Sequence, residues 1–195
     1  MILGTYEAEV QARLKEISVG RNLFVALGAA DGYYAIGVLQ AGLFEKCICF
    51  EASEKGRNAI VDNARLNDVS GKIQILGVAS DDFVQALPSG QMSSMVVLCD
   101  IEGAEYNILT RNNLGALRQA AIIVELHEFT ATQRLRAERF LADAGSIFEI
   151  DFLRSGARDP SAYPELADLP DYERLLAFSE GRPNAMRWAV LTPRS

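Results

Sequence analysis

Short runs of consecutive apolar residues punctuate the chain. Between most of them, apolar positions fall three and four apart. The runs are Leu23–Leu27, Cys47–Phe50, Lys72–Val78, Met95–Cys99 and Ala121–Leu126. Short, near-continuous apolar runs predict strands covered on both faces of a parallel sheet. Helical spacing marks Gly4–Ile17, with Tyr6, Val10, Leu14 and Ile17 on one face. It recurs over Tyr33–Ala41, Ser53–Asn67, Glu102–Arg118 and Thr130–Ala144. Ser53 and Thr130 suit N-caps, and Gly145 suits a C-cap. Strands alternating with helices predict a three-layer α/β sandwich. Beyond residue 145 the pattern changes. Ser146–Leu153 and Ala185–Leu191 read as sixth and seventh strands, Arg154–Pro170 as a long loop and Asp171–Glu180 as a short helix. With no good crossover helix between them, the last two strands predict a hairpin-like antiparallel pair.

The 195 residues fit one domain. It divides into an N-terminal helix (1–20), a βα core (21–145) and C-terminal strands with a long loop (146–195). A formal charge of −7 argues against a nucleic-acid or membrane-surface partner. No apolar run reaches the length of a membrane span. Glu7, Glu9, Lys15 and Glu16 leave no apolar segment for a signal peptide, so a cytoplasmic location is expected. Cys47, Cys49 and Cys99 all lie in strand-like runs and read as buried free thiols. Their C-x-C spacing, with no second cluster, does not suit zinc.

The chemistry begins where the first strand ends, at Gly28-Ala29-Ala30-Asp31-Gly32. A helix follows at once, and the next strand ends in Glu51. Strand, glycine turn, helix, and strand ending in an acid is the layout of a nucleoside-binding unit. The glycines permit a sharp turn and close approach to backbone, and the acid can accept from ribose hydroxyls. The dinucleotide pattern G-x-G-x-x-G is not met, since Ala30 holds its middle position, and no P-loop lysine is present. Asp31 would repel a pyrophosphate, and Tyr33 and Tyr34 crowd the helix start. A ligand with a cationic centre and no phosphate fits better, and S-adenosylmethionine has both features.

Four stretches in register resemble class I S-adenosylmethionine-dependent methyltransferases, and specifically the FkbM group. They are Leu27-Gly28-Ala29-Ala30-Asp31-Gly32-Tyr33-Tyr34, Cys49-Phe50-Glu51-Ala52 followed by Asn63 and Asn67, Cys99-Asp100-Ile101-Glu102-Gly103-Ala104-Glu105 with Ile108-Leu109, and Val124-Glu125-Leu126-His127. Glu180-Gly181-Arg182-Pro183 before Trp188 resembles the group's closing hairpin. The resemblance implies a Rossmann-like, seven-stranded, mostly parallel sheet with an antiparallel last strand. It implies S-adenosylmethionine as cofactor, S-adenosylhomocysteine as product and O-methylation as the reaction. One position departs. Ala26 stands where the family carries an acid that organises the cofactor's amine end.

Candidate site residues follow. Gly28, Ala30, Asp31, Gly32, Glu51 and Ala52 would frame the cofactor. Ser80 and Asp81 follow the third strand, on the expected adenine edge, although both also suit capping of Phe83–Leu87. Asp100 ends the fourth strand beside the expected transfer point, where it would hold the cofactor's methionine amine or orient the acceptor. Glu102 and Glu105 fit the first turn of a helix, where the dipole favours acids. His127, the sole histidine, ends the fifth strand, and Glu125 two residues before it points to the same face. His127 is the candidate general base, with Asp100 and Glu125 beside it. The same three also read as a metal cluster, but their spacing does not require one, and no metal is expected. Tyr33 and Tyr34 read as packing. The function expected is methyl transfer to a small-molecule hydroxyl, with an acceptor wall from the N-terminal helix and Arg154–Glu180 and a homo-oligomer as an open state. The alternatives are an NAD-dependent oxidoreductase and an inactive methyltransferase-fold binding or assembly protein, the latter kept open by Ala26.

Overall fold

The computed structural model describes residues 3–182 and 184–194; Pro183 of the closing hairpin lies outside them. In chain order the elements are α1 (Ala8–Ile17), β1 (Leu23–Leu27), α2 (Tyr33–Gln40), β2 (Lys46–Phe50), α3 (Glu54–Leu66) and β3 (Ile73–Leu76). They continue with β4 (Met95–Cys99), α4 (Glu105–Ile108), α5 (Arg111–Ala116), β5 (Ala121–Glu125), α6 (Ala131–Gly145), β6 (Phe148–Arg154), α7 (Asp171–Ala177) and β7 (Arg187–Pro193). Seven strands form one sheet in the order β3-β2-β1-β4-β5-β7-β6. All neighbours from β3 to β5 run parallel. β7 runs antiparallel to both β5 and β6, as its hairpin-like separation from β6 predicts.

The periodicity explains the layers. β1, β4 and β5 are buried at every position, so both faces of the central sheet are covered. One face packs Phe24, Ala26, Cys49, Val96 and Ile123 against α1, α2 and α3 residues such as Leu14, Val38 and Ile60. The other packs Val25, Met95, Val97, Ile122 and Val124 against Leu114, Phe140 and Ala144. The three cysteines are buried and free. Among the described residues no helix is long and apolar enough to cross a membrane.

Two expected helices differ. Glu102–Arg118 is two short helices, because Thr110 turns extended and its side chain accepts from Asn113 N, starting α5 anew. α1 begins at Ala8 rather than Gly4, because Glu7 sits in the left-handed region at φ 46°. Val10, Leu14 and Ile17 form its buried face as expected, while Tyr6 lies ahead of the helix. Thr130 caps α6 through a full capping box with Gln133, and Ser53 caps α3.

Candidate functional site at the strand ends

The strand order reverses between β1 and β4, and at such a switch point the carboxyl ends of the strands splay around a crevice. Gly28 and Asp100 meet there. Asp100 N donates to Leu27 O at 3.0 Å and so extends the β1–β4 ladder. Gly28 holds φ +83°, and a Cβ on it would lie 1.9 Å from the Asp100 carbonyl oxygen. The first glycine is therefore required for strand packing as well as for turn geometry. Gly32 and Ala30 also hold positive φ, which bends the chain into α2.

Glu51 leaves β2 and reaches into this turn. Its Oε2 accepts from Ala30 N and its Oε1 from Ser53 N, both at 2.8 Å. Gly56 makes room for it, since a Cβ there would lie 2.8 Å from Glu51 Cγ. The carboxylate is thus fixed at the crevice wall, with lone pairs left for a ligand hydroxyl. Asp31 instead caps α2 locally, accepting from Tyr33 N at 3.2 Å.

Two adjoining cavities occupy the crevice. One, of about 410 Å³, is lined by Gly28, Ala30, Glu51, Ala52, Asp100 and Glu102 among others. The second, of about 380 Å³, shares Gly28, Ala30 and Asp100 and adds Asp31, Tyr6, Tyr33 and Tyr34. Ala26 also lines it, at the position where the family pattern has an acid. Ser80 and Asp81 line neither cavity. Val78 and Ala79 form that wall instead, Ser80 bonds Asp82, and Asp81 O accepts from Asn113 Nδ2. Ser80 and Asp81 are exposed on the loop just beyond that wall. A groove of about 490 Å³ between α1 and α2 has only Lys15 as a charged lining residue and lies away from the strand ends.

At the far end of the crevice Asp100, Glu125 and His127 converge, with one ligand atom of each within 4.8 Å of the others. Register explains it: Cys99 pairs with Val124, so the residues just beyond are neighbours. Glu105, the first residue of α4, is fully buried and accepts from Ile101 N and Gly103 N through Oε1. That same oxygen lies 3.0 Å from His127 Nδ1. The two groups form a close, buried ion pair when His127 is protonated. Glu102, expected in a helix turn, stands outside α4 at φ 55°, with Oε2 3.5 Å from His127 Nε2.

These surroundings move the titrations. Burial alone would lower His127, but the Glu105 carboxylate beside it, with Glu125 and Asp100, outweighs burial and lifts it to about 9. Burial first, then the facing Glu125 and the charge of Glu102, push Asp100 up to about 8. Burial opposes ionisation of Glu105 too, yet His127 and the two amides hold it below the usual carboxylate range. At neutral pH His127 is therefore an imidazolium, which donates rather than accepts, whereas Asp100 titrates close to neutrality.

Sequence reasoning missed the clamp over this end. Arg182 Nη1 donates to Glu125 Oε1 at 2.5 Å, and its other nitrogens reach Glu180, the Tyr6 hydroxyl and Glu7. Glu7 is buried and also receives the Tyr34 hydroxyl. Arg158 binds Glu9 and Glu180. Local spacing does not signal the long-range contacts, which join Arg158 and Arg182 to residues 6–9 and to Glu125.

The fold so described is the Rossmann-like fold of class I methyltransferases. Among solved structures, the chain is similar to precorrin-6y C5,15-methyltransferase from Geobacter metallireducens, with TM-score 0.60 and 12% identity over 95% of this chain and 88% of that one. It is similar to a putative tRNA (m1A22) methyltransferase from Streptococcus pneumoniae in complex with S-adenosyl-L-methionine, with TM-score 0.60 and 16% identity over 94% and 74%. A third is a ribosomal protein L11 methylase from Lactobacillus delbrueckii, with TM-score 0.60 and 12% identity over 94% and 77%. No family model and no curated protein matches the chain.

Proposed function

We propose that the protein is an S-adenosylmethionine-dependent methyltransferase acting on a small-molecule hydroxyl. The observation that carries this reading is the shared lining of one crevice by the Gly28–Ala30 turn, Glu51 and Asp100. The crevice has the features such a cofactor needs. It places a fixed carboxylate at the nucleoside end and a carboxylate with a buried, unpartnered Oδ1 at the other end. The cofactor, when bound, supplies a methyl group already activated by a sulfonium. The chain then has to align two partners and remove a proton.

Glu51 accepts from ribose hydroxyls while Ala30 N and Ser53 N hold it in place. Val78 and Ala79 flank the base. Asp100 faces the cationic end, in a cavity where Ala26 offers no acid. Beyond it, Asp100, Glu125 and His127 receive the acceptor hydroxyl. His127 orients it as a donor, and the carboxylate pair takes up the proton. Proton acceptance thus passes from His127, the sequence candidate, to Asp100, whose titration near 8 suits a base at neutral pH. The FkbM resemblance supports O-methylation, and the charge of −7 favours a small acceptor over a nucleic acid.

The test is release of S-adenosylhomocysteine from S-adenosylmethionine across a panel of phenols, sugars and hydroxy acids. Turnover is expected with at least one hydroxyl acceptor. Glu51→Ala should keep the fold and weaken cofactor binding by about 1–3 kcal/mol through lost charge-assisted hydrogen bonds. Turnover only on amines would overturn the hydroxyl assignment. Unchanged affinity in folded Glu51→Ala would place the ribose elsewhere.

A further inference from the structure

We propose that Asp100, Glu125 and His127 form a binding site for a first-row divalent transition-metal cation at the acceptor end of the crevice. Three strand-end residues bring one imidazole and two carboxylates together, with ligand atoms within 4.8 Å of one another. Bonds of about 2.0–2.2 Å set opposite ligands of such an ion about 4.4 Å apart, so a small inward shift completes the shell. A mixed nitrogen and oxygen set suits manganese or zinc better than calcium or magnesium, which take oxygen alone.

A second observation points to a missing ligand rather than to a mere gathering of acids. Asp100 Oδ1 is fully buried and has no hydrogen-bond partner. His127 is only 5% exposed, with Nδ1 3.0 Å from Glu105 and Nε2 3.5 Å from the exposed Glu102. Buried polar groups are nearly always satisfied, so the orphaned Asp100 Oδ1 calls for a partner at this end of the crevice.

The outer shell is also that of a metal site. A ligating histidine usually turns its second nitrogen to a carboxylate, which fixes the ring. Glu105 fills that place, 3.0 Å from Nδ1 and itself held by two backbone amides. Nε2 is then left for the ion. Glu102, exposed and 3.5 Å from Nε2, can swing in as a further oxygen ligand. Arg182 does not fill the site. It binds Oε1 of Glu125 from the clamp side. Glu7, Asp100, Glu102, Glu105, Glu125 and Glu180 surround this end against one arginine in contact, so a divalent cation still leaves it acidic. The site's use rests on the methyltransferase reading, since a cation there would hold an acceptor hydroxyl beside the transfer point and take over its activation from the free carboxylates. Its existence does not rest on that reading.

The experiment titrates chelator-treated full-length protein with manganese chloride and follows free ion by electron paramagnetic resonance. His127→Gln and Glu125→Gln are measured alongside, and calorimetric binding of S-adenosylhomocysteine reports on each fold. One ion per chain is expected, with at least tenfold weaker binding in both variants while S-adenosylhomocysteine still binds. Ion binding without any S-adenosylhomocysteine binding in the parent protein supports the metal site and overturns the cofactor reading. Absence of binding of manganese, and of zinc in a competition format, overturns the site. So does ion binding that both folded variants retain.

Discussion

At Gly28 the chain has no space for even one methyl group, because β1 and β4 close on each other as they end. Gly28→Ala combines a left-handed φ of +83° with a clash against the Asp100 carbonyl, a backbone atom that cannot swing aside. The expected cost is about 3 kcal/mol or more, read by urea unfolding. A variant that unfolds at the parent's midpoint would show that the two strands do not meet in this way. Single residues could be placed at the crevice from sequence where strand ends carry them there. Gly28, Glu51, Asp100 and His127 each follow an apolar run, Glu125 lies within the last of them, and the sheet carries all five to one side. Ser80 and Asp81 lie past the end of β3 at Leu76, on a loop whose direction apolar spacing does not set. His127's charge was equally invisible, since it depends on Glu105 across the crevice. That charge has a measurable result in chelator-treated protein. His127, raised from 6.5 to about 9, stabilises the fold fully below 6.5 and loses that contribution as pH rises toward 9. Asp100, raised from 3.8 to about 8, keeps a proton that the unfolded chain has released, so stability falls as pH climbs toward 8. In both cases the folded state binds more protons, and both slopes are negative between pH 6.5 and 8. The melting temperature should therefore drop by several degrees from pH 6.5 to 9; a rise over that range contradicts the assignments.

Elements were legible where their signals are local and lost where tertiary contacts decide. The capping box at Thr130 and the cap at Ser53 start α6 and α3 as their sequences predict. Glu102–Arg118 reads as one helix by apolar spacing, but Thr110 is itself a good cap and opens a second helix inside the pattern. The break matters for the site. It leaves Glu102 and Gly103 in a positive-φ turn that faces His127, and it makes α4 a single short turn that presents Glu105. The N-terminal segment and the 158–182 segment are joined to the strand ends by Arg182 and Arg158, whose partners lie far away in sequence. Removing Arg182 strands two buried carboxylates, Glu7 and Glu125. Arg182→Ala should cost about 2–4 kcal/mol, below the full value for a wholly buried pair because the guanidinium keeps some solvent contact. Amide exchange at residues 3–10 and 156–182 should speed up first. Parent-like stability and exchange would reduce the clamp to a surface contact.

Across the whole molecule, alternating apolar runs and helical spacing were enough for the class of fold, since only a sheet covered on both faces suits such strands. The strand order was not readable from them, yet it does the functional placement. By reversing between β1 and β4, it opens the crevice where the glycine turn, Glu51 and Asp100 meet. Resemblance supplied the expectation of a methyltransferase, and the sheet and its solved counterparts have that fold at low identity. Whether this crevice holds the cofactor is the central claim, and calorimetry on the full chain tests it most directly. S-adenosylhomocysteine should bind one per chain and, at a hundred times its dissociation constant, stabilise the fold by about 2.7 kcal/mol, with no response to NAD. Binding of NAD with no binding of either S-adenosylmethionine or S-adenosylhomocysteine would contradict it.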